Sequence, residues 1–294
     1  MENTILTRQN EHANIERLCA QKQIYINAKK LFMFQIIITV PVTVILALLK
    51  LILMLTFKID ISSYVVVYGI TIALTDLALI TPLIGDTKKN GAKVQELFDC
   101  SVFALGWNSL FVGKKPPQEI INKNSRKFLK SKPDMAKIYN WYPVELVKHE
   151  DNKAILLCQK TNLSYDSSLR NSYLKRVVMV GLGTLLILVL FGLLGDYSVK
   201  NFFIQLGASF LPVFVLALKI FIEQNKTIKS SEELDGSITS LLEQENALTQ
   251  IQVRNIQDRI YINRKDGGLV PEFFYQLKRK SLEEDMHDDA SRYE

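Results

Sequence analysis

Cysteine is scarce in this sequence, and what little there is does not pair. Cys19, Cys100 and Cys158 are the three in 294 residues, far apart and with no C-x-x-C spacing. That argues against a disulfide framework and fits reduced thiols on a cytosolic face. Histidine is equally thin, at His12, His149 and His287, so no metal-site spacing arises and no metal or other cofactor is expected. The sequence also lacks G-x-x-x-x-G-K-[ST], H-E-x-x-H and G-x-S-x-G. Gly181-Leu-Gly183 lies inside an apolar run, where it serves packing and not phosphate. No catalytic residue is assigned, and the chain does not read as an enzyme. A short basic region ahead of the first apolar block is missing too. Roughly thirty polar residues precede that block, so it is expected to act as an uncleaved anchor.

Charge is nearly absent from four stretches. The chain is 48% hydrophobic and 22% charged, averages that suit a globular protein, but the apolar residues are gathered into blocks. A bilayer core needs about 20 apolar residues per helical span. Residues 31–57 meet this, interrupted by Pro41 and Lys50. Residues 61–84 meet it with Asp76 inside, 177–195 with no charge, and 199–222 with Pro212 and Lys219. A run such as 182–191, Leu-Gly-Thr-Leu-Leu-Ile-Leu-Val-Leu-Phe, has little place in a soluble core. The fold class is therefore mainly α: an integral membrane protein with four transmembrane helices in two hairpins and an α-helical cytoplasmic domain.

Lysine and arginine set the orientation. Five lie before Leu31 and one in the first hairpin link; seventeen lie between Gly85 and Arg176, none in the link 196–198, and ten after Ile222. This alternation puts both termini and the middle segment in the cytoplasm. The organisation expected is a cytoplasmic N-terminal helix (1–30), a first hairpin (31–84), a basic α-helical unit (85–176), a second hairpin (177–222) and a C-terminal helical segment (223–294). The outer links are too short to recognise anything, so recognition must occur in the cytoplasm or the bilayer.

Lys50 and Lys219 lie near span ends, where long cationic side chains snorkel to the interface. Asp76 is eight residues from Ile84, ~12 Å along the helix. A carboxylate at that depth must face other helices or water. It reads either as a structural hydrogen-bonding group near Thr71 or Thr75 or as a pore-lining or gating acid.

In the cytoplasmic parts, Val94, Leu97, Phe98, Val102 and Leu105 share a helical face, a second helix fits 118–130, and 138–143 is an aromatic loop. Residues 151–161 and 165–175 look helical. The middle unit carries seventeen Lys/Arg against nine Asp/Glu, a net of +8, while the C-terminal segment is net −5. A basic excess next to spans serves topology and anionic lipid; it also suits an anionic ligand, with Lys and Arg on phosphate and aromatics on bases. The candidate ligand-binding residues are Arg126, Lys127 and Arg170 for phosphate, and Trp141 and Tyr142 for stacking. A long helix over 230–264, with Leu234, Ile238, Leu241 and Leu248 in a stripe that shifts phase at Ile256 and Ile260, reads as a self-association surface or a docked helix. The acidic tail beyond Leu282 is expected to fray.

Several short motifs occur in a fixed order around the spans: Ile5-Leu-Thr-Arg-Gln-Asn10, Leu18-Cys-Ala-Gln-Lys-Gln-Ile-Tyr25 and Lys29, then Val94-Gln-Glu-Leu-Phe-Asp99 and Val102-Phe-Ala-Leu-Gly-Trp-Asn108. Trp141-Tyr-Pro143, Cys158-Gln159, Asn162 and Asp166-Ser-Ser-Leu-Arg170 follow, and Ile256-Gln-Asp-Arg-Ile-Tyr261, Arg264 and Pro271-Glu-Phe-Phe-Tyr275 close the series. Together they resemble the SMODS-associated four-transmembrane effector family of bacterial anti-phage systems, over nearly the whole chain. Tyr165 stands where that pattern has Trp, and Cys19 where it has a small residue.

The resemblance implies an effector of cyclic-oligonucleotide-based anti-phage signalling (CBASS). A partner nucleotidyltransferase would make a cyclic di- or trinucleotide. The effector would bind it in the cytoplasm, assemble as a homo-oligomer or rearrange, and disrupt the bacterial inner membrane, causing abortive infection. No nucleic-acid polymer is implied. Gln95, Asp99, Asn108 and Asp166, polar residues of the motifs, fit either the ligand or a buried hydrogen-bonded core. Two other classes remain open on the residues: a constitutive channel or transporter using Asp76, and a membrane scaffold recruiting a partner through 230–264.

Overall fold

The structure is a computed structural model that describes residues 4–143, 145, 151–194, 198–199, 207–244 and 247–291. Helices are its only regular elements among those residues: α1 (Ile5–Gln9), α2 (His12–Thr39), α3 (Pro41–Phe57), α4 (Ser62–Thr75), a π-helical turn (Asp76–Ile80), α5 (Thr81–Val102), α6 (Ser109–Val112), α7 (Gln118–Lys130), a 3-10 turn (Met135–Lys137), α8 (Asp151–Leu194), α9 (Ala208–Leu242), α10 (Gln250–Asp266) and α11 (Glu272–Ser291). The chain divides into two compact units. One comprises Met1–Lys29, Gly85–Asn171 and Lys226–Glu294; the other comprises Lys30–Ile84 and Ser172–Asn225.

The first unit is an all-helical body assembled from three separated stretches of chain. Leu18 and Cys19 of α2, Phe98 and Val102 of α5, Leu156 to Cys158 of α8, Leu234 and Ile238 of α9, and Val253, Ile256 and Ile260 of α10 belong to one apolar cluster. Burying each large aliphatic side chain fully stabilises by about 1.5–3 kcal/mol. The cluster therefore ties the three stretches together more firmly than local helix propensity does. The face expected from Val94, Phe98 and Val102 is the buried face of α5, and 118–130 is the helix α7.

Three expectations change. The helix expected over 230–264 is two helices. The Thr249 hydroxyl accepts from the Gln252 amide at 3.3 Å, and the Gln252 side chain accepts from the Thr249 amide at 2.8 Å. This capping box starts a new helix, and the break explains the phase shift between Leu248 and Ile256. Because Leu234 and Ile238 are fully buried, the stripe is docked in the chain's own core and is not a free self-association or recruiting surface. The two helices expected over 151–161 and 165–175 are one with the third span, forming the 44-residue α8. The acidic tail does not fray at Leu282; α11 runs to Ser291.

The second unit holds the apolar runs. Four helical stretches, His12–Met54, Ser62–Val102, Asn152–Leu190 and Ala208–Leu242, are long and apolar enough to cross a membrane. Their outer surface is studded with exposed Ile45, Leu48, Ile52, Leu74, Leu79, Leu182, Leu186 and Leu218. Water does not tolerate so much contiguous apolar surface, and a hydrocarbon layer covers it. The protein is a membrane protein of mainly α class. Pro41 ends α2 and starts α3, since it lacks the N–H that the Ile37 carbonyl needs; the Tyr68 hydroxyl donates to the neighbouring Ile38 carbonyl at 2.5 Å. In the first link, Lys58 takes the left-handed conformation (φ 57°) and caps α3. The Asp60 carboxylate accepts from the Ser62 amide at 2.8 Å and starts α4. Gly69 is pressed against Pro212, whose Cγ lies 3.0 Å from where a β-carbon would stand. The expected second link, 196–198, and the first part of the span 199–222 fall mostly on 195–197 and 200–206, outside the described residues.

Candidate functional site

A cavity of about 520 Å³ opens in the first unit, within the range of small-molecule sites. Its wall is built by helical spacing. Lys22, Tyr25 and Lys29 recur along one face of α2; Asn162, Asp166, Leu169 and Arg170 do so on α8; Glu272, Tyr275, Gln276 and Arg279 do so on α11. Lys88 and Gln95 come from α5, Ser231 from α9, and Asn263 and Arg264 from α10. Trp141 of the aromatic loop and the Gly267–Val270 linker complete it. Gly267 is required at its position, because a β-carbon would fall 2.5 Å from the Asn263 carbonyl oxygen.

Cations dominate this wall. Lys22, Lys29, Lys88, Lys137, Arg170, Arg264 and Arg279 stand against Asp134, Asp166 and Glu272. Most are held by the protein itself. Arg170 donates to Asp166 at 2.6 Å and to the Gly268 carbonyl. Lys88 donates to the Gly267 carbonyl at 2.7 Å, and Lys29 to Glu272 at 2.7 Å. Lys22 lies 5.2 Å above the Trp141 ring and Lys29 lies 4.9 Å above the Tyr275 ring, both inside cation–π range. Burial acts to raise the Glu272 carboxyl, but Lys29, the Gln276 hydrogen bond and Lys22 together outweigh it and hold it below the usual carboxylate range. Burial pushes the Tyr25 phenol up to about 12, so it stays a neutral donor. The wall thus offers positive charge, flat aromatic faces and hydrogen-bonding groups together, the set that suits an anion carrying rings.

The sequence candidates separate on this geometry. Trp141 and Arg170 line the cavity. Tyr142 does not: it is packed against Phe98 and Phe103, with ring centroids at 6.3 and 5.0 Å, and is 2% exposed. Its ring faces are occupied by core, so it cannot stack on a base. Arg126 is exposed on α7, bonded to the Asn122 carbonyl, and Lys127 bonds Asn27 at 3.4 Å; neither lines the cavity. Sequence reasoning missed Lys22, Lys29 and Arg264 as wall residues. Their signal was present in the Leu18–Tyr25, Lys29 and Arg264 motifs, but no single stretch of chain shows that α2, α8, α10 and α11 converge.

Beside the cavity lies a buried polar network. Asp99 accepts from the Tyr142 hydroxyl at 2.8 Å, from Gln257 at 2.9 Å and from Arg264. Glu96 accepts from Gln257 at 2.8 Å and Arg254 at 2.6 Å; Arg254 also reaches Asp258 at 2.6 Å, which accepts from Asn108 at 2.6 Å. Burial opposes the Arg264 charge, but Asp99, with Tyr142 and Glu96, outweighs it and holds the guanidinium protonated. Asp99 and Asn108 are therefore core groups. Gln95 and Asp166 lie on the cavity wall, Gln95 accepting from Gln21 at 3.2 Å. The three thiols are buried, and burial pushes Cys100 up to about 12, which leaves it unreactive.

In the second unit, Asp76 opens the π-helical turn. It accepts from Gln35, from Thr81 at 3.1 Å and from Lys219 at 3.4 Å, and Lys219 also bonds Thr81. Lys219 therefore turns inward to a partner and does not snorkel. Lys50 is 6% exposed.

No solved structure matches the chain. A protein of Bacillus cereus strain VD146 described as a probable CBASS effector molecule is 28% identical over 288 residues, covering 96% of this chain and 95% of that one. A family model described as the SMODS-associating 4TM effector domain matches residues 3–293. With four membrane-length helices and a family model that matches residues 3–293, this protein belongs to the SMODS-associating four-transmembrane effector family.

Proposed function

We propose that the protein is a CBASS effector of anti-phage defence in the bacterial inner membrane, with both termini cytoplasmic. It binds a cyclic oligonucleotide made by a partner nucleotidyltransferase in the cavity of its first unit. Binding favours an assembled or rearranged state of the spans, and the membrane is breached. The observation that carries this reading is the cavity, where Lys22, Lys29, Lys88, Arg170 and Arg279 converge with Tyr25, Trp141, Tyr165 and Tyr275. Phosphates suit the cations, and bases suit the rings. Arg170 and Trp141 are retained as binding residues; Lys22, Lys29 and Arg279 replace Arg126 and Lys127 beside them.

The coupling follows from helix continuity. α2 carries Lys22, Tyr25 and Lys29 and runs on to Thr39; α8 carries Asp166 and Arg170 and runs on to Leu194. A ligand that draws Arg170 from Asp166 and the Gly268 carbonyl acts on a helix that is also a span. It shifts the population only so far as it prefers the active state. Asp76, with Lys219, Gln35 and Thr81, is the polar element of the spans that such a shift would rearrange.

Binding of labelled cyclic di- and trinucleotides to detergent-purified full-length protein tests the first step, and loss of potential across protein-containing vesicles tests the second. Binding of at least one nucleotide, with leakage only when it is present, is expected. Leakage without ligand would instead indicate a constitutive channel.

A further inference from the structure

The cavity leaves one cationic stretch of the chain unexplained. From Lys123 to Lys132 there are five cations and no carboxylate. Lys123, Arg126, Lys127, Lys130 and Lys132 are all exposed. The first four sit on α7, whose opposite face, Ile121, Ser125 and Phe128, is buried. The helix dipole accounts for cations in the last turn, where Lys127 and Lys130 lie, but not for Lys123 and Arg126. Arg126 and Lys127 bond neutral oxygens, the Asn122 carbonyl at 3.2 Å and the Asn27 side chain at 3.4 Å. Those bonds leave both charges uncompensated. Leu129 is exposed among the cations, at 44%.

Packing gives this face its address. Ile121 clusters with Ala20 and Ile24 of α2, and Lys127 reaches Asn27 of the same helix. α7 thus follows α2 in the direction in which α2 continues into the first apolar run. Asn27 stands four residues before Leu31, where that run begins, or ~6 Å along the helix.

We propose that the exposed face of α7 docks on the anionic phospholipid headgroups of the membrane that the spans cross, through Lys123, Arg126, Lys127 and Lys130, with Leu129 entering the interface. Three of these four cations are lysines, point charges on flexible stems that suit a diffuse field of headgroup phosphates. A cage for a single phosphate favours the fixed fork of arginine. A second copy of the chain would need a larger apolar centre than Leu129, and lysine is depleted from such interfaces. The result is a tether of the first unit to the bilayer that is independent of the cavity and its ligand.

The three native thiols are buried, so a Leu129→Cys protein takes a bimane label at that position. Full-length labelled protein is placed in nanodiscs of phosphatidylcholine alone or mixed with phosphatidylglycerol. Both hold the same share of a lipid carrying a nitroxide on its headgroup. Strong quenching is expected in the anionic discs and much less in the neutral ones, because each cation contributes about fivefold to the preference for an anionic surface. Quenching should fall between about 0.1 M and about 1 M salt, as the screening length shrinks from about 10 Å to about 3 Å; this arm needs no further substitution. Replacing Lys123, Arg126, Lys127 and Lys130 by Gln should bring the anionic discs to the neutral level with an unchanged melting temperature, whereas Arg126→Lys alone should keep the quenching. Quenching equal in both compositions, or absent from both, would overturn the proposal. Bimane emission that follows the number of copies per disc and not lipid charge would give the face to a second copy instead. Loss of quenching on adding inorganic phosphate at constant ionic strength would give it to free phosphate.

Discussion

Each unit of the molecule holds a carboxylate facing a cation, and the two arrangements differ in burial and footing. Asp99 and Asp76 each accept from three side chains, and in each case one donor is cationic. The Asp99 side chain is 0% exposed and its Arg264 partner 14%; for Asp76 and Lys219 the figures are 21% and 28%. Asp99 sits in the regular helix α5 and meets a guanidinium, whose fixed fork suits a permanent pair. Asp76 starts a π-helical turn and meets a flexible ammonium at 3.4 Å, and such single π-turns inside α-helices are rare and frequent at functional sites. The first arrangement is a largely buried pair within regular helix; the second is a looser, partly exposed contact among α2, α9 and the start of α5.

The sharpest way to break this comparison is to remove the cation of the buried pair. Arg264→Met leaves Asp99 buried without its cation, and such a loss costs about 3–5 kcal/mol. Chemical denaturation should show the first unit destabilised by that order, with nucleotide binding lost through unfolding. A variant that keeps its stability would mean that Asp99 and Arg264 do not brace the first unit. Next in size is the looser contact. Asp76→Asn leaves Lys219 charged among helices, at a cost of about 2–3 kcal/mol, whereas the double variant Asp76→Asn with Lys219→Gln removes both charges. The double variant is expected to be more stable than the single one. Ligand-triggered flux is expected to change in both. Flux identical to wild type in both variants would confine Asp76 to a structural role.

These two sites also mark what the sequence could disclose. Asp76 was visible because a lone carboxylate in an apolar run is anomalous from its neighbours alone. Its partner was not, since Lys219 is 143 positions away and a lysine near a span end reads equally well as snorkelling. The spans themselves were legible for the same reason as Asp76: a run of apolar side chains states its solvent directly. The cavity is the opposite case. Arg170 and Trp141 line it, whereas Arg126 and Lys127 stand out in the sequence only by basic character, which exposed surface positions share with cavity positions. Tyr142 adjoins Trp141 in sequence, yet the two rings meet different environments, one the cavity and one the core between Phe98 and Phe103. Local chemistry names a residue's capacity; which side of a short loop it faces depends on packing from distant helices.

A third, smaller effect compares two cations of the cavity itself. Arg170 bonds Asp166 and a backbone carbonyl with its side chain 11% exposed, so Arg170→Gln should reduce nucleotide affinity by roughly 1.5–3 kcal/mol, read by titration. Lys29 shares its charge with Glu272, whose side chain is 44% exposed, so this pair is screened and contributes less than about 1 kcal/mol to stability. Its sign is nevertheless testable. Burial acts to raise the Glu272 carboxyl, but Lys29, with the Gln276 hydrogen bond and Lys22, holds it below its ordinary value of 4.5. A depressed acid contributes stability in full above its unfolded value, and that contribution fades as pH falls from about 4.5 through the folded value. Glu272→Gln should therefore lower the melting temperature slightly at pH 7, and the gap to wild type should narrow on acidification through that window. A gap that widens instead would mean that burial, and not Lys29, governs Glu272. Its carboxylate would then be no anchor for α11 against the cavity wall, and a ligand phosphate arriving at Lys29 would have no protein anion there to displace.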